Sequence, residues 1–168
     1  VDVQKCFMHM KTAETRNNIG DASRFIDDQT TNTLEIVQQA AALMTADGRA
    51  MTDDTIFSIL ERYSIMETFS EVYYIDAENT IYQPGNVKRL LADAEIREQL
   101  EDGVSKVYVD NVETGDGYRG CVFYIVPVNR GYAHFGELVA VQEIGNLLQS
   151  SSFRTLGEEG DVYLIGAK

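Results

Sequence analysis

The sequence contains no tryptophan, two prolines, two cysteines and two histidines among its 168 residues. Cys6 and Cys121 are too few for a disulfide scaffold. Cys121 lies in an apolar run and reads as a buried thiol, Cys6 lies nearer the N-terminus, and a bridge between them stays open. His9 and His134 have neither metal-ligand spacing nor a neighbouring Ser or Cys in a nucleophile motif. No catalytic residue, metal site or cofactor is therefore expected. Gly115-x-Gly117 is turn chemistry rather than a phosphate loop. Asp110, Glu113 and Asp116 lack the calcium-loop pattern and read as a solvated hairpin turn. Cations are scarce as well: 14 Lys and Arg stand against 27 Asp and Glu, a net charge of −13. Nucleic acid and anionic lipid need clustered cations and are poor partners for such a surface. There is no apolar run of about eighteen residues to cross a membrane, and no signal peptide.

What is present is the composition of a folded domain, with 44% apolar and 24% charged residues. The length suits one domain with a real core. The chain opens on Val1 and stops at Lys168 directly after a strand-like run, so both ends read as cut from a longer protein.

From about residue 11 to 46 the pattern is helical. Ile19, Ala22, Ile26, Thr33, Val37, Ala40 and Met44 recur at helical spacings, with polar residues between them. Thr52-Asp53-Asp54 caps a second helix through Tyr63. Glu71–Asp76 is β-branched and aromatic, turns at Ala77–Thr80 and returns at Ile81-Tyr82. Pro84-Gly85 breaks that strand, and a helix is expected from Val87 to Leu100. Three strands follow, Val104–Val112, Tyr118–Val128 and Tyr132–Val141, joined by turns at Glu113–Gly117 and Asn129–Gly131. Pro127 suits an edge or a bulge. A short helix from Gln142 to Ser151 and a strand from Gly160 to Gly166 complete the order. The class is α+β, an antiparallel sheet with helices on its faces and a long N-terminal helix.

This order, with these residues, resembles the Cache family of extracytoplasmic sensor domains, whose sheet is PAS-like. The hairpin Glu71–Tyr82 resembles the family's opening strand pair, and Tyr108-Val-Asp-Asn resembles its central strand with a Tyr-x-Asp. Val122–Val128, Gly136–Val141 and Leu147–Phe153 followed by Val162–Ile165 resemble the rest. The resemblance covers nearly the whole chain. It implies a single Cache-like domain over residues 1–168, with the long helix at about 11–46 and the sheet at about 52–168. It also implies a place on the extracytoplasmic face of the membrane. A flanking transmembrane helix would lead to a diguanylate cyclase, histidine kinase or chemoreceptor output module, and a small molecule would bind on the open sheet face. The amino-acid-binding subgroup has an Arg-x-Trp-Tyr cluster before the central strand. Here Leu90–Arg97 offers nothing equivalent, and only Tyr108-x-Asp110 matches. The resemblance therefore does not carry an α-amino-acid ligand over to this chain.

Tyr108 and Asp110 alternate onto one strand face, where a carboxylate can pair an ammonium and a phenol can stack and hydrogen-bond. The bland alternative is a core Tyr and an Asp that starts a turn. Tyr74, Tyr82 and Tyr124 are expected to line the same cavity or to fill core. Arg89 and Arg119 can meet an anionic group or pair with surface acids. Gln142 and Glu143 lie where the subgroup has an acid, with the register open by about one residue. The expected function is a ligand-sensing input domain. The alternatives are a ligand-free module that dimerises through the stripe of the N-terminal helix, and a cytoplasmic PAS-like or enzyme domain.

Overall fold

The computed structural model describes residues 6–10, 16–48, 50–91, 100, 103–148 and 162–166. The expected helix is present as α1 (Arg16–Met44), twenty-nine residues long. Its apolar stripe does the packing: Ile26, Leu34, Val37, Ala40, Ala41 and Met44 are buried. Thr30 and Thr33 are buried in the same stripe, and each hydroxyl donates to a carbonyl one turn back, Ile26 and Gln29, at 2.8 Å. Those bonds remove the penalty of burying a hydroxyl among apolar groups. The described part of the stripe therefore covers the chain's own sheet rather than waiting for a partner. Among the described residues no helix is long and apolar enough to cross a membrane.

Helix α2 (Asp53–Ser64) starts where its cap sequence places it: the Thr52 hydroxyl accepts from the Thr55 N–H at 3.3 Å. Asp53 and Asp54 occupy its first turn and Arg62 its last, which suits the helix dipole. Ile56, Phe57, Ile59 and Leu60 form its buried face.

The main sheet has six strands: β2 (Glu71–Asp76), β3 (Thr80–Gln83), β4 (Val87–Leu90), β5 (Lys106–Thr114), β6 (Gly117–Arg130) and β7 (Ala133–Glu143). Their order is β4-β3-β2-β7-β6-β5, antiparallel at every step. A short helix α3 (Ile144–Leu148) follows β7. β1 (Cys6–Met10) pairs with β8 (Val162–Gly166) in a separate two-stranded sheet.

Three expectations need correction. Val87–Leu90 is a strand, not the start of a helix, because Gly85 (φ 82°) and Asn86 (φ 58°) hold left-handed backbone and turn the chain back along β3. Lys88 then pairs with Asp53 at the start of α2, tying the edge strand down. The remainder of that expected helix, except Leu100, lies outside the described residues. Second, β5 runs past its expected end at Val112 to Thr114, which narrows the expected turn from Glu113–Gly117 to Gly115-Asp116; Asp110 sits within the strand, as the expected bounds have it. Third, β1 was not expected at all: five residues with one charge-free alternation give no recognisable period until β8 is beside them. Pro127 lies beyond the last β5–β6 pair, Lys106↔Ile125, where β6 has a neighbour on one side only, and next to the register shift at Val128/Asn129.

The sheet separates two cores. Val72, Tyr74, Tyr82, Val107, Val122, Tyr124, Val126, Val128, Leu138 and Ala140 pack under α1 and α2. Tyr73, Ile75, Ile81, Leu91, Cys121, Ile125, Val139 and Val141 form the second cluster, on the opposite face. At Gly136 (φ 148°) β7 crosses β2 so closely that an added Cβ would lie 2.1 Å from the Ile75 carbonyl oxygen.

Candidate ligand-binding face

The face away from α1 collects the polar and aromatic groups that could hold a ligand. The β5–β6 register places Tyr108 opposite Phe123 and Asp110 opposite Cys121. Side chains of directly paired residues share a face, so these four stand together. The Tyr108 and Phe123 rings are stacked, 4.9 Å between centroids and 6° between planes. Tyr73 joins them from β2, within electrostatic reach of Tyr108, Glu71 and Arg89. Burial raises the Tyr73 phenol well above its ordinary range; Tyr108 and Glu71 add to that and Arg89 opposes it. The Tyr108 phenol is pushed up to about 12, first by burial and then by Asp110. Both phenols are therefore neutral near pH 7 and can donate.

One end of this face is acidic. Glu71 pairs with Val141, and Glu143 pairs with Cys121, which puts both carboxylates on the same side as Asp110. Arg119 donates from Nη1 to Glu143 Oε1 at 3.0 Å. The Cys121 thiol reports all of these groups. It is buried and pushed upward first by burial, then by Glu143 and Glu71, with Arg119 opposing and Asp110 adding. Arg119 answers Glu143, whereas Asp110 Oδ1 accepts, among the described residues, only the N–H of Asn111, at 2.8 Å. Among the described residues that end thus has more negative than positive charge, beside a stacked aromatic pair. Arg89 stands on the same face at the β4 edge, where Nε donates to Gln83 Oε1 at 3.2 Å. Leu91 and Leu100 pack on this face too.

The structure divides the expected site residues between the two faces. Tyr108, Asp110, Arg89 and Arg119 share the face away from α1 and α2, but Arg89 stands on β4 at one edge of the sheet and the other three on β5 and β6 at the opposite edge. Tyr74, Tyr82, Tyr124 and Gln142 do not: all four point toward the helices. The reason is the two-residue period of a strand. If Tyr108 and Phe123 face outward, Tyr124 faces inward, and Tyr74 is opposite in sense to Tyr73. Each inward tyrosine has a structural partner. Tyr74 donates to the Phe135 carbonyl at 2.6 Å, Tyr124 to Gln142 Oε1 at 2.8 Å, and Tyr82 to Asp76 Oδ2 at 3.3 Å. Between Gln142 and Glu143, the acid faces the site. Tyr73, Phe123, Glu71 and Cys121 were missed, since only cross-strand register reveals which neighbours they share.

Among the described residues no group of three or more His, Cys, Asp and Glu side chains could hold a metal ion. His134 lies at the far end of β7, between Asn129 (Nδ1 to Oδ1, 2.7 Å) and Glu137 (Nε2 to Oε1, 2.8 Å).

No family model matches the chain, and no curated protein matches it. Solved structures do. The sensory domain of the chemoreceptor Tlp3 of Campylobacter jejuni, with isoleucine bound, matches with a TM-score of 0.57 at 12% identity, over 74% of this chain and 56% of that one. The ligand-binding domain of the amino-acid chemoreceptor PctB of Pseudomonas aeruginosa PAO1, in complex with L-Arg, matches at 0.56 and 14%, over 74% and 54%. The ligand-binding domain of the Pseudomonas fluorescens chemoreceptor CtaA, in complex with L-valine, matches at 0.57 and 14%, over 77% and 60%. The chain thus spans a little over half the length of these domains. At such identities the match speaks for the fold alone: the fold of this chain is the one found in these chemoreceptor sensory and ligand-binding domains.

Proposed function

We propose that this chain is a ligand-sensing input domain that takes a small molecule on the sheet face turned away from α1 and α2. The observation that carries the reading is the placement of Tyr73, Tyr108, Phe123 and Asp110 on that face, where Tyr73 is buried, Tyr108 and Phe123 are half-buried and Asp110 is exposed. The stacked aromatic pair suits an apolar or flat ligand body, and the excess carboxylate suits an ammonium group. The amino acids bound by the chemoreceptor domains of similar fold carry such a group, which supports the class of ligand without naming it. The domain belongs, on this reading, on the extracytoplasmic side of a membrane. It acts through a flanking transmembrane helix on a cytoplasmic cyclase, kinase or chemoreceptor module. Ligand shifts that output only by its differential affinity for two states of the domain.

A thermal-shift screen of amine-bearing metabolites tests the proposal. A ligand present at one hundred times its Kd stabilises by about 2.7 kcal/mol, well within detection. Hits should weaken after Tyr108→Ala and after Asp110→Asn, the second at an exposed position where folding is not at risk. Hits that respond equally in both variants would place the ligand elsewhere.

A further inference from the structure

Gln142 does not serve the open face, yet its side chain is poorly explained as core. It is only 5% exposed, and its oxygen accepts from the Tyr124 hydroxyl at 2.8 Å. The two N–H donors of its carboxamide have no protein partner among the described residues. Buried polar groups are nearly always paired, so an orphan of this kind calls for an explanation. Gln142 lines a cleft of about 420 Å³, half open to solvent, on the helix side of the sheet, where α1, the loop before β2, the end of β7 and α3 meet. That volume is in the range of small-molecule sites.

The lining indicates the chemistry. Gln29 and Asn32 from α1, Gln142 from β7 and Asn146 from α3 supply four carboxamides. Each offers a donor and an acceptor side by side, the complement of a hydroxyl, which also donates and accepts. Ile36 and Leu147 add apolar surface for a C–H face. Among the described residues the lining's one charged group is Glu67 and it holds no cation, so an anion finds no counter-charge there. We infer that this cleft is a second binding site, for a small neutral polyhydroxy compound of monosaccharide size. It stands independently of the open-face site and touches α1 directly.

Calorimetric titration and thermal shift with D-glucose, D-galactose, D-ribose and myo-inositol at millimolar concentration test it. At least one of these probes should bind the wild-type protein. That binding should weaken about tenfold or more, a change of about 1.4 kcal/mol, in Gln142→Leu and in Asn32→Ala, while Tyr108→Ala leaves it unchanged. Asn32 is exposed on α1, so its variant keeps the test valid if Gln142→Leu fails to fold. The inference is overturned if no probe binds, if Asn32→Ala binds as the wild type does, or if Tyr108→Ala abolishes binding. The last outcome would assign polyols to the open face and leave the sensing proposal standing.

Discussion

Replacing Gly136 by alanine should destabilise the sheet at the point that decides which residues share a face. Gly136 pairs with Asp76 in β2 and with Val128 in β6. Its φ is 148°, a conformation that L side chains rarely adopt, and forcing one there costs about 1–3 kcal/mol. A Cβ would also stand 2.1 Å from the Ile75 carbonyl oxygen and 2.9 Å from the Asp76 Cα. Both are backbone atoms, so the strands must separate, at a further cost of about 1–3 kcal/mol. A total near 4 kcal/mol is a large share of the roughly 5–15 kcal/mol that holds a domain folded. For a domain of this size it corresponds to a fall in Tm of about 8–16 °C. Urea unfolding monitored by circular dichroism would measure it, with an unchanged slope showing that the same structure unfolds. Gly115→Ala is the control: no atom lies within 4 Å of its Cβ position, and its effect should stay within about 0.5 kcal/mol. A Gly136→Ala protein as stable as the Gly115→Ala control would refute the close β2–β7 crossing. It would also refute the register that sets Glu71 beside Glu143 on the open face.

Three further outcomes are expected. Tyr74→Phe removes the donor to the part-buried Phe135 carbonyl and should cost about 0.5–1.5 kcal/mol in chemical denaturation. Thr52→Ala removes the α2 cap and should cost about 1 kcal/mol in the same assay. Glu137 is buried, and burial raises its carboxyl above the ordinary glutamate range despite the opposing pull of His134. The folded state then holds this proton more tightly than the unfolded state does. Its contribution is therefore most favourable below the ordinary glutamate range and is lost as pH rises through the raised folded value. Glu137→Gln should flatten that part of the stability–pH curve; an unchanged slope would show that another group sets it.

Local chemistry was enough to foresee some parts of this fold. The Thr52-Asp53-Asp54 cap and the Glu71–Asp76 strand each depend on residues close in sequence, and the structure has them where expected; the turn expected at Asn129–Gly131 is shifted to Gly131-Tyr132, since Asn129 and Arg130 pair within the sheet. The β3–β4 hairpin was not foreseen, because four residues, Val87–Leu90, carry too little periodicity to separate strand from helix. For the candidate site, Tyr108 and Asp110 were legible as a pair because they lie two apart on one strand. Their neighbours were not. Tyr73, Phe123 and Glu71 reach them only through pairings of β5 with β6, β6 with β7, and β7 with β2.

By itself, then, the sequence determined the kind of most elements, β1 and β4 excepted, and the stripe by which α1 packs, since propensity, capping and period act over a few residues. Tertiary structure decided that β7 inserts between β2 and β6, and hence which face each side chain occupies. A shift of one residue in any of those registers would reverse the assignment. This is why Tyr124 and Gln142, one residue from Phe123 and Glu143, belong to the other side of the molecule.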